Sequence, residues 1–590
     1  MIASLMSHVS LESAPPVSDV LEPSIPTEWR ALLILALWFV AVAMAIGVYR
    51  NIPVIDDWTY AWSVERLIHD GRIEVLDWSA VYPLAHSLWG AAWSLVLGFS
   101  FTTLRLSTLA LSLLATCALY LILRELEARP RIALLGALTV AANPVFLLLS
   151  SSFMTDVPFV ASTLMALLCY TRAMSRGQIH LVWWGGAWAC LALLDRQVAI
   201  VTPLAALPLL MSHPRGEPKR SAVLLALGTT GVAMLVCSLV MMSLVKPTGE
   251  MVKLVDRLQY VLSIPVARYL TTNLYILSTM AFYALPALLA MATVRSLWRR
   301  PALFVVTLSL AAIMLVFAGE IPVPLRPGNT WTLAEVGGSR GLVNGQLPPL
   351  DMTTIEIVLR GAGLLAFGLA LMSLIWPEGH AAHGARTAFA WRPVVHRLLV
   401  AAKTIAMTPR MPLVIYLIAY LLIANVLWFY NDRYLIVALP VLVALALGGR
   451  QHGAEVPRLA WIAVAIFATV AVVGTRDALR FNQGLRDSWQ ALVDSGVRPS
   501  DIDAGYAWNG WWLYAHPENL AKGMTVQDVP WITTERRSTY ILSTSALAGY
   551  DVAREVAWTD DAPWPGPDRL LVLKRALVEE SPLEGPGKPR

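Results

Sequence analysis

One apolar run after another fills this chain from residue 31 to about residue 473, and that pattern leaves little choice of fold. A helix needs about 20 mostly apolar residues to cross the hydrocarbon core, where no water can satisfy an open backbone. By that length about thirteen runs qualify. They lie near 31–48, 106–123, 132–149, 158–170, 181–194, 198–211, 222–244, 274–294, 301–318, 355–376, 413–429, 435–447 and 459–473. Composition agrees, since 57% of the 590 residues are hydrophobic and only 14% are charged, with a mean hydropathy of +0.60. Soluble domains carry about 25% charged residues. The predicted fold class is a polytopic α-helical membrane protein of about thirteen spans.

Sidedness follows from the basic residues, which are scattered between the runs rather than gathered in a block. That scatter, with a net charge of only +5, argues against a nucleic-acid partner. The segment 84–99 is short and carries His86, so it reads either as a span or as a helix lying in the interface. If it lies in the interface, Arg124, Arg129, Arg131, Arg172, Arg176, Arg295, Arg299 and Arg300 all fall on one side, with Arg397, Lys403, Arg450 and Arg458. The positive-inside rule makes that side cytoplasmic, so the interfacial reading is adopted. The first run follows an acidic tail without the basic start of a secretory signal, and reads as an uncleaved span.

The expected divisions are a cytoplasmic tail (1–30), a transmembrane region (31–474) with a first outer loop (49–105), an outer domain (475–580) and a disordered tail (581–590). Within the outer domain, an amphipathic stretch at 485–493 and strand-like runs at 538–542 and 570–573 suit a small α/β unit. Cys117, Cys169, Cys190 and Cys237 each sit within an apolar run, without metal-ligand spacing, and read as small core residues.

Three groups of residues carry chemistry. Asp56 and Asp57 follow the first span among Trp58, Tyr60 and Trp62. Paired carboxylates beside apolar surface tend to have one raised pKa, although a solvated turn with interfacial aromatic anchors has the same composition. Asp156, in Thr155-Asp156-Val157-Pro158, lies at an outer turn where a carboxylate is costly unless paired, and where it also suits a helix N-cap. Arg196 and Arg433 interrupt apolar stretches at outer turns, with Lys246 ending another span. They read as snorkelling anchors neutralised by Asp195 and Asp432, or as a clamp on a lipid phosphate. His86 reads as a structural residue or a proton carrier.

The order of these elements resembles a known family. The acidic pair after the first span, the interfacial helix leading to Gly98-Phe-Ser-Phe-Thr-Thr-Leu-Arg105-Leu-Ser, the Thr-Asp-Val-Pro turn and a late Arg433-Tyr434 ahead of Pro440 are similar to the GT-C membrane glycosyltransferases. The nearest branch is the protein O-mannosyltransferase and aminoarabinose-transferase group (family 39-like). The resemblance covers 31 to about 197 and the region of Arg433, and does not extend to the C-terminal domain.

It implies a polyprenyl-phosphate sugar donor and a lipid, glycan or protein acceptor whose hydroxyl approaches from the outer face of the cytoplasmic membrane. Asp56 or Asp57 would be the general base, Asp156 would hold the acceptor or the base, and Arg196, Arg433 and Lys246 would face the phosphate, with Tyr60 and His86 as further substrate contacts. Inversion at the anomeric carbon is expected for the class. Some members use a divalent metal; with no ligand cluster in this sequence, no cofactor and no tightly bound ion are expected. Two other readings are a transporter or flippase for a lipid-linked glycan, and an envelope protein that binds glycan through Trp508, Trp511, Trp512 and Trp531. Charges gathered at one membrane face rather than along a central path count against the former, and aromatics of the latter kind are as often the core of a small domain.

Overall fold

The computed structural model describes residues 25–79, 81–212, 217–244, 254–291, 408–427, 431–449, 456–530, 538–557 and 569–576, with Asn344 and Gly368. The expected spans at 301–318 and 355–376, Lys246, Trp531 and both chain tails lie outside the described residues. Among the described residues, five helices are long and apolar enough to cross a bilayer, or six if one bent pair counts as a single span.

The first is α1 (Ile25–Ile46), apolar on both faces. Ala31, Leu35, Phe39, Val42 and Ile46 recur at helical spacing and are buried, while Leu33, Leu37, Val40 and Met44 on the other side are exposed. In a soluble protein such a face would be a liability; here it is what lipid requires. The segment that follows holds α2 (Asp57–Asp70) and α3 (Leu84–Leu97), and leads into α4 (Phe101–Glu125). Ser100 caps α4 by accepting from the Thr103 N–H.

The run expected as one span at 132–149 is broken. It forms α5 (Pro130–Ala141) and α6 (Pro144–Ser150), bent by 68°. Pro144 has no N–H to give the preceding turn, and Asn143 Oδ1 accepts from Val145 N and Phe146 N, starting a new helix there. Next come α7 (Asp156–Arg176), the most buried span, and α8 (His180–Asp195). A 3-10 stretch (Gln197–Ala206) runs into α9 (Leu207–Ser212). Then follow α10 (Pro218–Leu244), α11 (Leu254–Ser263), α12 (Val266–Tyr283), α13 (Leu285–Met291), α14 (Met411–Leu427) and α15 (Asp432–Leu447).

The last long helix, α16 (Arg458–Asp494), has 37 residues and runs unbroken past residue 475, where the sequence suggested a domain boundary. The composition changes there but the backbone does not: the lipid-facing half ends and the same helix goes on as an amphipathic one. Its C-terminal half presents Phe481, Leu485 and Trp489 to a four-stranded sheet of order β1-β2-β4-β3. The strands are β1 (Ile502–Asp503), β2 (Tyr540–Ser543), β3 (Tyr550–Ala557) and β4 (Arg569–Arg575). β1 and β2 are parallel, and β4 is antiparallel to both of its neighbours. Along β4 the strand period divides the apolar side chains, with Leu570 and Val572 in the core shared with α16 and Leu571 and Leu573 against Leu547 and Tyr550. Between β1 and β2 lie α17 (Tyr506–Asn509) and a π-helical turn (Gly510–Tyr514). That segment leans on α2, where Trp58 meets Gly510 so closely that an added Cβ would lie 2.3 Å from its ring.

Candidate functional site

The acidic pair does not act as a pair: its two carboxylates point to different places. Asp57 opens α2 fully buried, and its Oδ1 accepts from Val54 N at 2.7 Å while Oδ2 accepts from Phe153 N at 3.4 Å. Arg105, also fully buried, faces it electrostatically and donates to the carbonyls of Arg50 and Ile52. Together these groups hold the segment between α1 and α2 in a fixed shape that includes Ile55 at φ +56°, a left-handed conformation that β-branched residues avoid. Burial pushes the Asp57 carboxyl up to about 7, against the opposing pull of Arg105 and the two N–H donors.

Asp56, one residue earlier, turns outward from that scaffold and keeps 26% of its side chain exposed. Its Oδ2 lies 3.0 Å from Arg433 Nη1, from the start of α15, and its Oδ1 accepts from the Tyr506 hydroxyl at 2.6 Å. The Tyr506 oxygen in turn accepts from Trp78 Nε1 at 2.7 Å. Residues 56, 78, 433 and 506 therefore meet although they come from the segment between α1 and α4, the start of α15 and the segment that follows β1.

Behind this cluster lies a second ion pair. Asp156 Oδ1 accepts from Arg196 Nη1 at 2.7 Å, with both side chains buried. The N-cap reading of Asp156 does not hold, because Thr155 occupies the cap position and the Asp156 carboxylate turns inward to the arginine. The acids adjacent to the arginines in sequence hold backbone groups, and Asp195 also feels the Arg196 charge. Asp195 accepts from the His86 backbone N–H at the start of α3, and Asp432 Oδ1 accepts from the Arg433 backbone N–H. The Arg196 and Arg433 guanidiniums lie 4.9 and 5.3 Å from the Tyr434 ring centroid, which links the two ion pairs. Tyr60 is buried within electrostatic range of both arginines, Asp56 and Asp156, and burial raises its hydroxyl to about 12.

Three buried polar atoms of this cluster have no hydrogen-bond partner: Asp156 Oδ2, Arg196 Nε and Arg433 Nε. Unsatisfied guanidinium N–H groups at this depth are costly, and an arriving anion would satisfy them. Among the described residues no group of three His, Cys, Asp or Glu side chains is arranged to hold a metal ion.

The sequence-predicted residues Asp56, Asp156, Arg196, Arg433 and Tyr60 thus come together. Asp57 stands behind them as scaffold, and His86 is tucked away, stacked on Phe153 at 3.7 Å between centroids. Lys246 lies outside the described residues. Tyr506 and Trp78 were missed, because neither has a local signal; only the tertiary contact with Asp56 marks them. Trp508 and Trp511 are nine-tenths buried, packed on Trp489 and on Phe101 respectively, so they are core and not an open sugar-stacking surface.

Residues 82–242 match the family model described as dolichyl-phosphate-mannose-protein mannosyltransferase. Among solved structures, the chain is similar to ArnT from Cupriavidus metallidurans bound to undecaprenyl phosphate, at 16% identity and a TM-score of 0.39, over 93% of this chain and 99% of that one. It is also similar to the Archaeoglobus fulgidus oligosaccharyltransferase tethered with an acceptor peptide, at 13% identity and a TM-score of 0.36, over 88% of this chain and 69% of that one. The S. cerevisiae protein O-mannosyltransferase Pmt1-Pmt2 complex bound to its sugar donor aligns at 15% identity and a TM-score of 0.28, over 36% of this chain. The chain spans about a third (32%) of the length of that yeast chain. No curated protein matches it in sequence.

Proposed function

We propose that the protein transfers a sugar from a polyprenyl-phosphate donor to a hydroxyl acceptor at the outer face of the cytoplasmic membrane, with Asp56 as general base. The N-terminus then lies inside and the C-terminal sheet outside. The observation that carries the reading is the contact of Asp56 with Arg433: a half-open carboxylate held beside a guanidinium whose Nε is unsatisfied. A base and a leaving-group cation are thereby adjacent.

In the reaction, the acceptor hydroxyl oxygen forms the new bond to the anomeric carbon while its proton passes to Asp56. The bond from that carbon to the phosphate oxygen breaks, and polyprenyl phosphate departs with the electron pair. Arg433 and Arg196 face the charge that grows on the phosphate, which favours the transition state over the bound donor. Asp156 holds Arg196 in place and Tyr60 packs beside both. Attack opposite the leaving phosphate inverts the anomeric carbon. Lys246 belongs on the phosphate side of this scheme by its sequence position.

The test is release of sugar from a panel of radiolabelled polyprenyl-phosphate sugars by purified wild type and by Asp56→Asn, Asp57→Asn and Asp156→Asn. Turnover is expected to collapse in Asp56→Asn with donor binding retained. Full turnover in that variant would refute the assignment of the base.

A further inference from the structure

We infer that Tyr506, a residue of the C-terminal domain, positions the base, so that the outer domain completes the reaction centre instead of only covering it. The inference rests on the reading of Asp56 as base. Its ground is a chain of two hydrogen bonds, from Trp78 Nε1 to the Tyr506 oxygen (2.7 Å) and from the Tyr506 hydroxyl to Asp56 Oδ1 (2.6 Å). The direction is fixed by chemistry. Indole N–H is only a donor, so the phenol oxygen accepts from it and is left to give its own proton to the carboxylate.

With Tyr506 on Oδ1 and Arg433 on Oδ2, both oxygens of Asp56 are tied, and the carboxylate cannot rotate freely between substrate and solvent. The groups that face it are Arg433 from α15, Tyr506 from α17, Tyr60 on its own helix, and Asp57. Burial, followed by the nearby Asp56 charge, raises the Tyr506 hydroxyl far above its ordinary range, so it remains a donor at every working pH. The aromatic surroundings hold the ring itself: Trp58 meets it edge-on at 6.2 Å and Trp78 lies at 6.3 Å.

A donor on a carboxylate favours its ionised form, so its removal should be read in the acid limb of the rate profile. In Tyr506→Phe the ring and its packing stay while the hydroxyl goes. The expected result is a fall in kcat of about tenfold or more, KM for the donor within about twofold, and an acid limb of the kcat profile moved up by roughly one pH unit. Trp78→Phe, which removes the donor to Tyr506 without touching Asp56, should shift the same limb in the same direction by a smaller amount. A merely structural role for Tyr506 would change KM or yield without moving the limb.

Wild-type kcat and an unmoved limb in Tyr506→Phe, with Asp56→Asn inactive, would overturn this inference and leave the base assignment standing. Activity in Asp56→Asn would remove the base itself. If Tyr506→Phe does not fold, an unmoved limb in folded Trp78→Phe overturns the inference on its own.

Discussion

Replacing Asp57 by asparagine separates the two acids of the pair by their response to pH. In the folded protein the Asp57 carboxyl titrates at about 7, against 3.8 for an unburied aspartate. Between those values folding takes up a proton, so the stability linked to this group is fully present below pH 3.8 and is lost as pH rises through 7. A gap of roughly three units at about 1.4 kcal/mol each makes about 4 kcal/mol in all, of which about 2 kcal/mol falls between pH 5 and pH 7 and about 3 kcal/mol between pH 5 and pH 8. Asparagine is nearly isosteric, its Oδ1 can still accept from Val54 N, and it does not titrate. Relative to wild type, Asp57→Asn is therefore expected to gain about 3 kcal/mol of stability on going from pH 5 to above pH 7, on the order of 5 °C in Tm. Tryptophan fluorescence during thermal unfolding in detergent, run on both proteins across that range, measures the difference and cancels every other titrating group. A constant gap between the two curves would show that Arg105 keeps Asp57 ionised throughout, and the account of the buried carboxylate would be wrong.

Three further outcomes follow from particular contacts. Arg433→Lys keeps the charge but cannot hold Asp56, reach the Tyr434 hydroxyl and offer Nε at once, so turnover should drop about 10- to 100-fold in the sugar-release assay; unchanged turnover would rule out a role for the fork geometry. Gly510→Ala drives a Cβ into the fully buried Trp58, costs about 1–3 kcal/mol of overpacking, and should lower both turnover and the resistance of the C-terminal domain to limited proteolysis. His516 bridges Glu65 of α2 and the Trp511 carbonyl; burial alone would lower its pKa, but these two partners outweigh burial and raise it above 6.5. That contact is fully present below pH 6.5 and fades as pH rises through the raised value, so protease resistance of the domain should decline as pH climbs past 6.5 in wild type and stay flat in His516→Gln.

Much of this protein is legible along the chain. Apolar runs must become helices in lipid whatever else happens, since an unpaired backbone has no partner there, and charged or aromatic residues that interrupt them at their ends are costly enough to mark a site. Asp56, Asp156, Arg196 and Arg433 could be named on that ground alone, and their order carried the family resemblance. What the chain could not state was which charge meets which. Asp195 and Asp432 adjoin the arginines in sequence, yet the arginines pair with Asp156 and Asp56, 40 and 377 positions away, because the helix ends bring those carboxylates into reach. Likewise, adjacency made Asp56 and Asp57 look equivalent. Successive residues entering a helix point about 100° apart, so one carboxylate faces the buried scaffold and the other the site. Tyr506 shows the same limit most sharply: a tyrosine in an aromatic stretch has no functional signature of its own, and only the packing of the segment after β1 onto α2 gives its hydroxyl a partner.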